Sequence, residues 1–140
     1  MNEYPSMPRL PLRGPSVQAQ ATRSESRPWG NWTVLYEDTG IKVKLIEVTP
    51  GCRLSLQYHH HRSEFWLCLG GRATAVVGDQ ARELRMLESV VIPVGCIHRL
   101  GNPGPEPVLI LEIQRGEVLA EEDIVRLEDD YHRVIGPGRL

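Results

Sequence analysis

After Trp32 the chain runs in short stretches where apolar and polar positions alternate, broken by Gly and Pro. Alternation with a period of two puts successive side chains on opposite faces, which is the pattern of half-buried strands. Strands are expected over 33–36, 41–48, 53–59, 64–69, 72–77, 81–84, 89–92, 97–100 and 108–114. The turn formers between them include Asp38-Thr39-Gly40, Thr49-Pro50-Gly51, Gly70-Gly71, Gly78-Asp79, Pro93-Val94-Gly95 and Asn102-Pro103-Gly104-Pro105. Many short strands at this spacing predict an all-β sandwich or barrel. No long helical stretch competes; Glu117 to Asp123 has room for one helical turn. Residues 1–26 are rich in Pro, Ser, Gln and Arg and follow neither strand nor helix periodicity. They are expected to form a flexible N-terminal arm ahead of one domain over 27–140.

The alternation also sorts faces. Glu64, Trp66 and Cys68 share one side of their strand, and Phe65, Leu67 and Leu69 pack the other way. In 108–114, Ile110, Glu112 and Gln114 lie on one side, with Leu109, Leu111 and Ile113 on the other. A carboxylate in so apolar a strand is costly unless paired or solvated, so Glu112 either walls a polar cavity or lies on a face open to water.

Two short segments supply metal-ligand chemistry: Gly51 to Glu64, with Gln57-Tyr58-His59-His60-His61-Arg62, and Pro93 to Asn102, with His98. In an extended strand Gln57 and His59 reach the same point while Leu56 and Tyr58 face away, and Glu64 and His98 complete a set of four. Two imidazoles, one carboxylate and one amide oxygen suit zinc, manganese, iron or cobalt and leave positions open for water or substrate. The amide of Gln57 is the weakest ligand, yet a neutral one leaves more charge on the ion to polarise a carbonyl. If the strand continues past His59, His60 faces outward and His61 inward; a local turn would undo that.

Composition narrows the classes. The 140 residues carry a net charge of −2, so no basic field invites nucleic acid. Cys52, Cys68 and Cys96 form an odd, widely spaced set without a CxxC pair, as expected of free thiols in a reducing compartment. No apolar run approaches the roughly 20 residues that span a bilayer, and Glu3 and several prolines stand where a leader would need an apolar core. A cytoplasmic protein is expected.

The two ligand segments resemble the paired signatures of the cupin superfamily. Gly51, His59, Glu64 and Gly71 fall in register with the first, with Gln57 in place of its leading His. Pro93, Gly95, His98 and Asn102 match the second, whose leading Gly is replaced by Leu87. Together with Arg27-Pro28-Trp29-Gly30, with Leu54 to Arg62 and with Asp123 to Tyr131, the chain resembles the type II mannose-6-phosphate isomerases across about residues 27 to 133. That family includes the isomerase domain of bifunctional enzymes that also carry mannose-1-phosphate guanylyltransferase. The resemblance implies a double-stranded β-helix, or jelly roll, and a stand-alone, metal-dependent aldose-ketose isomerase acting on mannose 6-phosphate and fructose 6-phosphate. No Gly-rich nucleotide loop is present, so guanylyltransferase activity is not expected of these residues.

Such a reaction needs a Lewis acid at the carbonyl oxygen, a base that moves a proton between C2 and C1, and a cationic grip on the phosphate. Gln57, His59, Glu64 and His98 would hold the metal, zinc first among the candidates. His61, Glu112 and Lys44 are the candidate bases. Arg62, then Arg133, then Arg126 are the candidate phosphate contacts, because guanidinium binds phosphate oxygens in a two-pronged geometry. Surface ion pairing competes for each arginine, most for Arg126 beside Glu128, Asp129 and Asp130. The sequence departs from the family at Phe65, where a His is usual, and at His132, where a Gly is usual. Two alternatives stay open: a non-catalytic cupin that binds a sugar phosphate, and another metal-dependent cupin enzyme such as an oxygenase. A homodimer is expected through edge strands, with the arm before Arg27 strapping a partner.

Overall fold

The computed structural model describes residues 23–133, which form eleven strands and no helix. In chain order they are β1 (Arg23–Arg27), β2 (Gly30–Asp38), β3 (Ile41–Val48), β4 (Leu56–Tyr58), β5 (Arg62–Gly70), β6 (Ala73–Val77), β7 (Gln80–Leu84), β8 (Ser89–Ile92), β9 (His98–Gly101), β10 (Val108–Gly116) and β11 (Val125–Glu128). They make a six-stranded sheet, ordered β1-β2-β3-β10-β5-β8, and a five-stranded sheet, ordered β11-β4-β9-β6-β7. Every pairing is antiparallel. The crossovers between sheets are those of a jelly roll, the form of all-β barrel that the family resemblance implies.

The two sheets face each other across a core that includes Trp29, Trp32, Ile46, Val48, Trp66, Leu84, Ile92, Leu100 and Ile110. The inner face of the larger sheet is divided. On β3, Lys42 and Lys44 precede Ile46 and Val48; on β5, Arg62 and Glu64 precede Trp66 and Cys68; on β10, Val108 and Ile110 precede Glu112 and Gln114. The register pairs Glu112 with both Lys44 and Trp66, and Gln114 with both Lys42 and Glu64. All the polar positions therefore fall in one half of the barrel and most of the apolar ones in the other, so charge concentrates without breaking the hydrophobic half.

Two motif glycines are backbone requirements. Gly71 turns between β5 and β6 with φ of +72°, and a Cβ there would sit 2.5 Å from the Pro107 carbonyl oxygen. At Gly30, with φ of +150°, a Cβ would collide with the Glu47 carbonyl.

Several expectations need adjustment. β1 begins four residues inside the segment read as the arm; residues 1–22 of that arm lie outside the described residues. β4 is shorter than 53–59, since Leu54 and Ser55 leave the ladder and Arg53 makes an isolated bridge to Gly101. The segment 117–124 contains no helix; it crosses the polar end of the barrel as a strap with a bend at Glu117 and a single turn at 121–122, where the Asp123 amide donates to the Ala120 carbonyl at 3.1 Å. No helix among the described residues is long and apolar enough to cross a membrane.

Candidate metal centre

The β4–β9 pairing sets Gln57 opposite His98, and β5 brings Glu64 to the same point from the other sheet. His59 follows β4 directly. His59, Glu64 and His98 are all buried, and one ligand atom from each lies within 4.8 Å of the others. Nδ1 of His98 is 2.9 Å from the Cys96 carbonyl oxygen, and Nδ1 of His59 is 2.5 Å from that of Asp123. Each ring must donate to that carbonyl through Nδ1, which leaves Nε2 as the atom turned toward the site.

Those Nε2 atoms face another acceptor. His59 Nε2 lies 2.9 Å and His98 Nε2 3.3 Å from the same oxygen, Oε1 of Glu64. The His98 approach lacks hydrogen-bond geometry, and Oε2 of Glu64 also has no partner although it is buried. Three electron-rich atoms converging in a buried space call for positive charge, either protons on both rings or one cation among them. Burial opposes the Glu64 charge, but the adjacent His59 and then His98 imidazoles hold its carboxyl well below the usual carboxylate range. Gln57 lines the same cavity, and its Oε1 accepts from the Ser55 hydroxyl at 2.7 Å with a second lone pair to spare. The donor set of two imidazoles, a carboxylate and an amide fits a divalent ion.

Beside this centre lies Glu112, buried, accepting from Trp66 Nε1 at 3.0 Å and from Gln114 Nε2 at 2.7 Å. Burial first, then the Glu64 charge, pushes its carboxyl up to about 8, against the nearby Lys44. Trp66 also meets the His98 ring edge to face at 5.6 Å, as its place on the Glu64 side of β5 predicts. Lys44 lines the cavity, ion-paired to Glu121 of the strap and 4.2 Å above the Trp32 ring.

The third candidate base is elsewhere. The chain turns after His59, both His60 and His61 are exposed, and their amides donate to the Asp123 carboxylate. That turn ends the strand alternation, so His61 does not enter the cavity. Phe65 lies on the outer face of β5, away from the site.

The candidate phosphate contacts all line the cavity, but they differ in how far other groups occupy them. Arg62 is buried, donating to the Ala120 carbonyl at 3.0 Å and lying 3.3 Å from His59 Nε2. Arg133 is committed to Asp129 through two side-chain hydrogen bonds of 2.7 and 3.0 Å. Arg126, opposite Gln57 on β11, has no hydrogen-bond or ion-pair partner among the described residues, and its buried Nε is unmatched. Burial, then the charge of Arg133, lowers its pKa, with Arg27 adding to the effect. Arg27, at the end of β1, joins the same lining. Sequence reading missed it because its position on the wall follows from β1 pairing with β2.

The family model described as mannose-6-phosphate isomerase C-terminal matches residues 16–129. The alginate biosynthesis protein AlgA of Pseudomonas aeruginosa is 45% identical over 112 residues, covering 80% of this chain and 23% of that protein. The mannose-1-phosphate guanylyltransferase ManC of Salmonella typhimurium is 41% identical over 112 residues, covering 80% and 23%. The chain thus spans about a quarter of the length of these relatives. Among solved structures, a protein of Klebsiella pneumoniae with a double-stranded β-helix domain superposes with a TM-score of 0.60 at 21% identity, covering 69% of this chain and 77% of that one.

Proposed function

We propose that this chain, which belongs to the mannose-6-phosphate isomerase C-terminal family, is a metal-dependent aldose-ketose isomerase interconverting mannose 6-phosphate and fructose 6-phosphate. The observation that carries the reading is one cavity lined by Glu64 of the convergent His-Glu-His cluster, by a second buried carboxylate, and by arginines not all consumed by ion pairs. A divalent ion held by Gln57, His59, Glu64 and His98 would supply a Lewis acid for the substrate carbonyl oxygen. Glu112 is the group we assign to carry the proton between C2 and C1. Trp66 Nε1 and Gln114 Nε2 hold its carboxylate in a fixed orientation, which favours a short transfer path. Arg126 takes the phosphate, with Arg133 and Arg27 beside it; their mutual repulsion is relieved when an anion arrives.

The reading is tested by stripping the purified protein with a chelator, reloading it separately with zinc, manganese, cobalt or iron, and following fructose 6-phosphate formed from mannose 6-phosphate in a coupled assay. Activity lost on chelation and restored by a divalent ion is the expected result. Tight binding of the sugar phosphate with no turnover under any metal would make the chain a binding protein instead.

A further inference from the structure

The five-stranded sheet has a second cavity on its outer side, across the sheet from the metal centre. β9 sends His98 and Leu100 inward, so Arg99 and Gly101 face out. The register sets Val76 of β6 opposite Arg99, and Thr74 opposite Gly101. Gly101 has no side chain, and a hollow of about 300 Å³ opens there, with Arg53, Asp130 and Pro103 also in its wall. That is the lower end of the roughly 300–1,000 Å³ of small-molecule sites. It shares no lining residue with the metal cavity.

Arg99 leaves the sheet on its outer side, yet it is only 7% exposed. Its Nε donates to the Leu54 carbonyl at 2.9 Å and its Nη1 to Glu128 at 3.2 Å. Its Nη2 is buried and makes no hydrogen bond among the described residues. The Asp130 carboxylate stands 3.9 Å from that nitrogen and already accepts from Arg53 twice, at 2.7 and 2.9 Å. A buried charged donor left unmatched is costly, and this one borders a hollow with room for an acceptor. The lining sets two guanidiniums against one carboxylate. Glu128 lies outside it with a side chain 66% exposed, where water screens its charge. One excess positive charge suits a monoanion, whereas a phosphate dianion would leave negative charge uncompensated beside Asp130. Thr74 adds a hydroxyl, and Val76 and Pro103 add apolar contact. We infer that this hollow binds a small organic monocarboxylate, with its carboxylate on Arg99 Nη2 and its apolar body against Val76 and Pro103.

The test is a proton–nitrogen NMR titration of the full 140-residue chain, with zinc added, using benzoate as the probe. Benzamide serves as its neutral isostere and phenyl phosphate as the dianion. Saturable benzoate shifts are expected at the amides of 51–53, 74–76 and 99–102, with benzamide and phenyl phosphate each bound about tenfold or more weakly. Arg99→Met keeps the stem, removes the donor and should weaken benzoate about tenfold or more. Val76→Trp fills the hollow from the sheet and should abolish those shifts. Circular dichroism melts report whether each variant folds; where Arg99→Met does not, Val76→Trp carries the comparison. Four results overturn the inference: no saturable shift at these amides, benzoate shifts confined to 57–64 around the metal centre, benzamide or phenyl phosphate bound as tightly as benzoate, or a folded variant that binds benzoate like the parent.

Discussion

Leu87 and His132 hold φ angles of 66° and 60°, the only non-glycine residues of the described chain in the left-handed region. Both stand where the family pattern has glycine, so the turn geometry has stayed while its preferred residue has gone. A left-handed L-residue costs roughly 1–2 kcal/mol, partly offset on replacement by the extra freedom glycine has when unfolded. Leu87 is 72% exposed and loses no packing, so Leu87→Gly should stabilise the fold by about 0.5–1 kcal/mol, read as a rise in thermal midpoint. Arg126 presents the opposite lesson. Three acidic neighbours made it look like a surface pairing residue, but each acid has another partner: Glu128 binds Arg99, Asp129 binds Arg133 and Asp130 binds Arg53. Local charge order could not reveal this, because Arg99 and Arg53 come from distant strands. Arg126→Ala should weaken mannose 6-phosphate binding by about 1.5–3 kcal/mol in calorimetry while metal content stays constant.

Elements with their own apolar alternation were legible, and those whose packing is borrowed were not. The reading of 41–48 and 89–92 agrees with β3 and β8 to the residue. β1 has no apolar residue; its inward Arg23 and Arg27 lie over the Trp32 ring at 5.7 and 5.6 Å, a contact visible only once β1 pairs with β2. The strap after β10 is held in the same borrowed way. Lys42 donates to Leu119, Lys44 pairs with Glu121, Arg62 donates to Ala120, and His59 meets Asp123. Cations of the polar half thus close the cavity with a segment that has no ladder of its own. Lys42→Met removes one charged hydrogen bond from that closure. Hydrogen exchange in peptides covering 119–123 should accelerate about tenfold or more, with β3 and β10 protection unchanged.

The molecule as a whole is a barrel whose larger sheet keeps charge inside one end and apolar side chains outside. Sequence alternation shows the two faces of each strand but not which one points inward; the ligand motif decides, because Glu64 must share a face with Trp66 and oppose Phe65. The His-to-Phe departure at position 65 therefore falls on the outer face and leaves the chemistry of the cavity untouched. On the proposed function, the buried His-Glu-His cluster and Glu112 together move a proton on a sugar phosphate. Proton NMR of mannose 6-phosphate in deuterated water, with metal-loaded protein, follows that proton. Conversion to fructose 6-phosphate with deuterium entering at C1 of the ketose and C2 of the aldose is predicted, abolished by chelation and reduced about 100-fold or more in Glu112→Gln. Unchanged substrate spectra with zinc, manganese, cobalt and iron alike, or conversion at the same rate in Glu112→Gln, would contradict it.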